Sequence, residues 1–335
     1  MKLSKVQTAA YELIQSDARF LYALTDMNCS TKSIKGNYLM MSQPYIGIFA
    51  DGAEQWCKKV GLAAPTFNED EKAYYSALRQ GHKLFEKSYG DYMALLIDKL
   101  DESDKYFYNI RSPLEKILGY RNVGVDVCNN AFCGNTIICA MYTPVTLLGN
   151  QNIGLWIKNI SVIVGKLAAF FNCTKLPPYK YDNNFVMKPR DYHFFKDCPL
   201  KEKTDFEFLL FSILCVINYI TAFIDKCFTD EIPQKFKFAY LEYYYLCDFM
   251  KELNAHNCTN FYLDDSLYNR NFRNCLAHYG LGQFLTETEV VETDVLKGLT
   301  EKAFNLDYFS TKERLYNFLY RLTEQIEGTI LNFSN

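Results

Sequence analysis

Seventeen consecutive residues without a charge, 208–224, constrain this chain more than any other stretch. Thr204 and Glu207 stand ahead of the run at capping-box spacing, in which a hydroxyl and a carboxylate three residues on satisfy the first free amides of a helix. Asp225-Lys226 follows directly. Ser212, Asn218 and Thr221 interrupt the apolar character, and the length falls at the short edge of a membrane span. The run therefore reads as a helix buried in a protein core. A helix that is apolar on every face needs packing partners on every face.

The residues that follow offer such partners. Thr229 to Pro233 is a helix-start signal, because Pro in a first turn gives up an amide that has no helical partner anyway. It leads into an apolar-periodic stretch over 236–253. Asp264-Asp265-Ser266 starts a third helix that stops near Gly280 and Gly282. Ser310 and Glu313 repeat the capping-box spacing before Leu315, Phe318, Leu319, Leu322, Ile326 and Ile330. Helices expected at 204–227, 236–253, 267–279 and 311–331 read together as a bundle. The connection over 282–309 carries an acidic stretch, 287–294, and has room for a short extra helix.

Residues 1–203 read as a mostly helical N-terminal domain. Ser4 and Gln7 form a capping pattern before Val6, Leu13, Ile14, Leu21 and Leu24. Gly36, Pro44, Gly47, Gly52, Gly61 and Pro65 mark 30–68 as irregular or short elements. One long helix is expected over 71–100, and Ser112-Pro113 with Glu115 starts a short one that Gly119 stops. The stretch 121–145 is ambiguous. Val123, Val125 and Val127 alternate as in a strand that Asn129-Asn130 can turn, while 137–148 fits strand or helix and contains Pro144. Residues 153–171 fit a buried helix. Four prolines, two of them adjacent (Pro177-Pro178), the run Asp182-Asn183-Asn184, and 7 basic against 4 acidic residues make 172–203 the expected linker between domains 1–203 and 204–335. The expected fold class is mainly α, with a small β element at 121–145.

Net charge is −3, so no global basic field marks a nucleic-acid binder. The distribution is uneven. From Thr204 onward 11 Lys+Arg face 19 Asp+Glu, against 25 and 20 in the remainder. Attraction for a polyanion would have to come from the N-terminal two thirds or from a partner. The twelve Cys include no CxxC pair, and the four His are too scattered to complete a zinc-ligand spacing. Free thiols, no metal, no cofactor, no membrane and a cytoplasmic location are expected, the chain opening Met1-Lys2-Leu3-Ser4 without an apolar leader. Neither a GxSxG elbow nor a phosphate-cradling GxxxxGK[ST] loop occurs.

The chemistry-bearing candidate is Arg273-Asn274-Cys275-Leu276-Ala277-His278. It sets an always-charged guanidinium five residues from the one side chain that titrates near neutrality. RNA cleaved by its own 2′-hydroxyl needs a proton removed, a proton returned to the leaving 5′-oxygen, and positive charge on the phosphorane. His278 can move the protons and Arg273 can hold phosphate oxygens, with no metal required. Asn274, one turn before His278, can orient the imidazole or touch phosphate. Arg270, a turn before the motif, and Tyr279, beside the His, are the candidate RNA contacts. One His per chain makes a full set of proton carriers only when two chains pair.

Arg273-Asn274-x-x-x-His278, on the third helix of a C-terminal bundle, resembles the HEPN superfamily, whose signature is Arg, usually a polar residue, then His after four to six intervening positions. The resemblance covers about 204–335. It implies a dimeric, metal-independent endoribonuclease of the kind found among bacterial toxins, abortive-infection antiviral proteins and type VI CRISPR effectors. It carries Arg273, His278 and Asn274 over as site residues, and implies an RNA substrate, with a regulatory protein or RNA partner reached through the N-terminal domain. The superfamily also holds non-catalytic RNA-binding and interaction modules. Tyr279 directly follows the His and Gly280 takes the place where toxins paired with nucleotidyltransferase antitoxins usually carry Tyr. A further amphipathic helix follows the motif, which many HEPN domains put on their last helix. His82, His193 and His256 read as surface or satisfied histidines, and Tyr243-Tyr244-Tyr245 as base-stacking or core aromatics.

Overall fold

A computed structural model describes residues 2–109, 111–118, 122–143, 153–193, 198–291 and 294–332. The fold is mainly α with a small antiparallel sheet. The helices are α1 (Lys5–Ser30), α2 (Tyr38–Met41), α3 (Gln43–Lys59), α4 (Glu69–Gly81), α5 (Tyr89–Tyr108), α6 (Pro113–Ile117), α7 (Thr136–Tyr142), α8 (Ile153–Phe170), α9 (Asp205–Cys227), α10 (Pro233–Asn257), α11 (Arg270–His278), α12 (Val295–Phe304) and α13 (Tyr308–Ile330). Strands β1 (Asn122–Cys128), β2 (Ala131–Asn135) and β3 (Met187–His193) lie in the order β2-β1-β3.

The uncharged run is α9, and 94% of its apolar window is buried inside the protein, so its length serves a core. Thr204 caps it as expected by accepting from the Glu207 amide. The Glu207 carboxylate reaches past the cap, accepting from the amides of Glu202 and Lys203 at 2.8 and 2.7 Å. Its last turns open into a π-helix over Tyr219–Ile224. Helix α10 lies beside it and is buried over most of its length, with α1, α5, α11 and α13 around it. Aromatic residues fill the joints: Tyr45 stacks on Phe238 at 3.6 Å, and Tyr240 meets Phe272 edge-on at 4.5 Å.

Other boundaries differ from expectation for local reasons. The helix expected over 71–100 is two helices, because the chain turns through a short 3-10 segment, Leu84–Glu86, after Gly81 and restarts with Ser88 capping α5. Helix α13 begins a turn before Ser310, since Asp307 is the cap and accepts from the Ser310 amide. Within the ambiguous stretch, the described residues 122–142 form β1, β2 and α7, with Asn129 and Asn130 both at positive φ (49° and 68°) in the hairpin turn. Within 172–203 the edge strand β3 pairs with β1 from Asn122↔His193 to Cys128↔Met187, and an edge is where Pro189 is tolerated. The expected stop at Gly119 and the part of 137–148 from Pro144 onward lie outside the described residues.

The largest departure is α3, a 17-residue helix where punctuating Gly and Pro suggested irregular chain. Pro44 sits in its first turn, where no amide partner is lost. Gly47 is a contact surface: a Cβ there would lie 2.3 Å from the Arg79 backbone nitrogen and 2.7 Å from the Tyr75 carbonyl oxygen. Only a hydrogen lets α3 and α4 approach this closely. Gly47→Ala is expected to destabilise the protein by roughly 1–3 kcal/mol, because backbone cannot yield as a side chain can. Urea unfolding checks it, and an unchanged midpoint would contradict the close approach.

Candidate active site

The motif helix α11 is shorter than the expected 267–279, and α10 explains why. Tyr243 donates from its hydroxyl to the Asp264 carbonyl at 2.7 Å and accepts from the Leu267 amide. Tyr240 donates to the Leu267 carbonyl at 2.8 Å and accepts from the Asn269 amide at 3.0 Å. These phenols hold 264–269 in extended and turn conformations, so the helix starts only at Arg270, capped by the Asn269 side chain on the Phe272 amide.

The helix ends on Tyr279 in the left-handed conformation (φ 53°), an uncommon place for a bulky residue. A buried network holds it there. The Tyr279 hydroxyl donates to Asp17, and Lys237 lies 2.5 Å from the same carboxylate oxygen and 3.2 Å from the phenol oxygen. All three side chains are inaccessible to solvent, and the Lys237 ammonium also lies over the rings of Phe49 and Tyr279. Burial lowers the Lys237 pKa, while Asp17 opposes that shift. Tyr279 is therefore a buried structural residue, and its expected role as an RNA contact is corrected on that ground. Arg270 is exposed at the first position of α11.

His278, the last residue of α11, is exposed. Arg79 of α4 points an Nη2 at its Nδ1, 3.4 Å away, and pairs through Nη1 with Asp51 of α3. The His278 pKa is lowered by burial of part of the ring, then by the positive charges of Arg79 and Arg273, with Asp51 pulling the other way and Lys83 adding to the decrease. His278 also lines one wall of a cleft of about 1050 Å³, open between the start of α1, the end of α3 and the 280–287 loop. Lys58, Lys59, Gln55 and Gln283 also line this cleft.

Arg273 is mostly covered, with 11% of its side chain exposed. Its guanidinium lies 5.2 and 5.0 Å from the ring centres of Tyr244 and Tyr245 and 3.8 Å from a Glu86 carboxylate oxygen. Nη1 donates to Asn274 Oδ1 at 2.8 Å, so Asn274 orients the Arg and not the imidazole. Nε is buried without a hydrogen-bond partner among the described residues. All of Tyr243, Tyr244 and Tyr245 are buried, serving as clamp and platform.

His82 is buried between the Arg79 carbonyl, which Nδ1 meets, and the Tyr245 hydroxyl, 3.4 Å from Nε2. Burial pushes its pKa down to about 4. Between about 4 and the ordinary 6.5 the unfolded chain binds the proton and the folded one does not. Stability is therefore full above pH 6.5 and declines as pH falls toward 4. The decline in urea midpoint over that range is expected to be smaller in His82→Gln, and parallel profiles would contradict the assignment. His256 stacks on Tyr89 at 4.8 Å, and the His193 side chain lies outside the described residues.

Arg273, Asn274 and His278 stand out in the sequence, whereas Arg79, whose Nη2 lies 3.4 Å from His278 Nδ1, and its partner Asp51 do not. The signal lay in Gly47-x-x-x-Asp51-Gly52, one helical face that meets Arg79 backbone, Arg79 side chain and the Tyr279 ring in turn. Among the described residues no group of three or more His, Cys, Asp or Glu is placed to hold a metal ion, and the twelve cysteines are free thiols. Comparison with protein-family models, curated proteins and solved structures yields no match.

Proposed function

We propose that this chain is a cytoplasmic, metal-independent endoribonuclease, with a HEPN-like bundle over 204–335, cleaving RNA by attack of the 2′-hydroxyl in the manner of a toxin or antiphage abortive-infection effector. The observation that carries the reading is an exposed imidazole at the wall of a wide cleft, with the Arg79 guanidinium 3.4 Å from its Nδ1 and the charges of Arg79 and Arg273 lowering its pKa. A neutral His accepts a proton near pH 7, and the Arg273 guanidinium, held by Asn274 and the Tyr244 and Tyr245 rings, stabilises charge on the phosphorane. Two copies related by a two-fold axis supply the second proton carrier. The N-terminal region is the proposed contact for a regulatory protein or RNA.

One observation favours a different reading, a non-catalytic interaction or RNA-binding module. Arg273 faces Glu86 and two Tyr rings, as a structural Arg would. The readings separate on Arg273→Lys assayed with total RNA in EDTA. A ribonuclease loses activity because an ammonium lacks the planar fork, whereas a module shows no activity to lose in the wild type. Light scattering at micromolar concentration is expected to give twice the chain mass, with or without RNA. A strict monomer under both conditions contradicts the two-fold site.

A further inference from the structure

Arg79 belongs to no motif, yet its Nη2 lies 3.4 Å from Nδ1 of His278. A guanidinium has five donors and no acceptor. Its 3.4 Å approach to Nδ1 is favourable only when that nitrogen carries a lone pair, so the neutral ring holds its proton on Nε2. The lone pair that could take a proton is then the one that Arg79 covers.

Arg79 is held at its guanidinium and at its backbone. Asp51 pairs with Nη1, and Gln55 donates to the other Asp51 oxygen at 2.6 Å. The Arg79 backbone rests against Gly47, where no Cβ fits. The charged groups that act on His278 through their electrostatic field are Arg79 from α4, Arg273 from α11, Asp51 from α3 and Lys83 from the turn after α4. Glu86 lies 2.8 Å from Lys83 and 3.8 Å from Arg273. Three cations against two carboxylates leave a local positive excess in contact with an otherwise acidic C-terminal region. Two of those cations come from the N-terminal region, which is where attraction for a polyanion had to be found.

We propose that Arg79 and Arg273 form a phosphate-binding pair, and that Arg79 shields the Nδ1 lone pair of His278 until a phosphate group draws the guanidinium away. Arg79 is then a phosphate ligand and a positioning residue, contributed in cis by the N-terminal region. A bound phosphate offers the fork a second partner as strong as Asp51. It frees Nδ1 to accept a proton and, through its own charge, raises the basicity of the ring. Only the identification of the phosphate as an RNA diester rests on the ribonuclease reading; the contact itself does not.

The test is the pH titration of His278 ring nitrogens by NMR in the full chain, with inorganic phosphate as the probe. In the wild type, His278 should titrate below the ordinary histidine value, with the proton on Nε2 at neutral pH. Arg79→Gln should shift the midpoint upward and mix the two tautomers. Phosphate should raise the wild-type midpoint saturably and have little effect on Arg79→Gln. An Arg79→Gln titration and tautomer identical to wild type overturn the proposal. Should that variant fail to fold, the wild type decides: a ring that does not respond to phosphate overturns it equally. RNA cleavage is scored separately. A wild type that cleaves no RNA but answers to Arg79 and phosphate keeps this anion site and removes the ribonuclease reading. A wild type that cleaves RNA while its His278 ignores Arg79 does the reverse.

Discussion

Asp17→Ala is expected to cost about 3–5 kcal/mol of stability, read as a lower urea midpoint at unchanged m-value. Asp17 is the anionic partner of Lys237, and both side chains are completely buried. Removing it strands an ammonium among Phe49, Tyr279 and apolar neighbours without its carboxylate partner. The Tyr279 phenol loses its acceptor at the same time, and with it the restraint on a left-handed backbone beside His278. Removing the charge from both partners separates the causes. Asp17→Leu combined with Lys237→Met should recover much of the loss, since a buried pair is worth little more than well-packed apolar groups. A single-variant loss under about 1 kcal/mol would show that the ammonium finds another partner or water, contrary to this packing.

The second large effect falls on chemistry. His278→Ala should lower the rate of RNA cleavage by on the order of 10²-fold or more, because it removes proton transfer while leaving phosphate binding in place. Arg273→Ala should lose a comparable factor through the phosphorane charge, with Arg273→Lys recovering only part of it. Asn274→Ala should cost less, as Asn274 acts by holding the Arg273 fork. His278 is exposed, so His278→Ala should leave the unfolding midpoint near that of the wild type. A stability loss matching the activity loss would move His278 from chemistry to structure.

Much of the architecture was legible because it rests on local chemistry. The capping pairs at Ser4 and Ser112 form as their spacing indicates, and the Asn129-Asn130 turn takes the positive φ that Asn tolerates. The uncharged run is a core helix for the reason its polar interruptions suggest. What stayed hidden depends on long-range contact. Gly47 and Gly52 read as helix breakers because their value is space for Arg79 and for the Tyr279 ring, far away in sequence. The start of α11 moved because hydroxyls on α10 hold the preceding backbone, which no pattern within 264–270 reveals. The same limit applies to the site. Arg273 and His278 share one short helix and announce themselves, while Arg79 reaches His278 only through the α3–α4 contact.

If His278 and its guanidiniums cleave RNA through the 2′-hydroxyl, the ends of the products must show it. Full-length protein is incubated with RNA in EDTA, and the 3′ termini of the fragments are identified by mass. Wild-type fragments should end in 2′,3′-cyclic phosphate, with none above background from His278→Ala, since the internal hydroxyl is the nucleophile that needs no bound water. Fragments ending in 3′-hydroxyl, activity abolished by EDTA, RNA left intact by the wild type, or cleavage undiminished in His278→Ala would each contradict it.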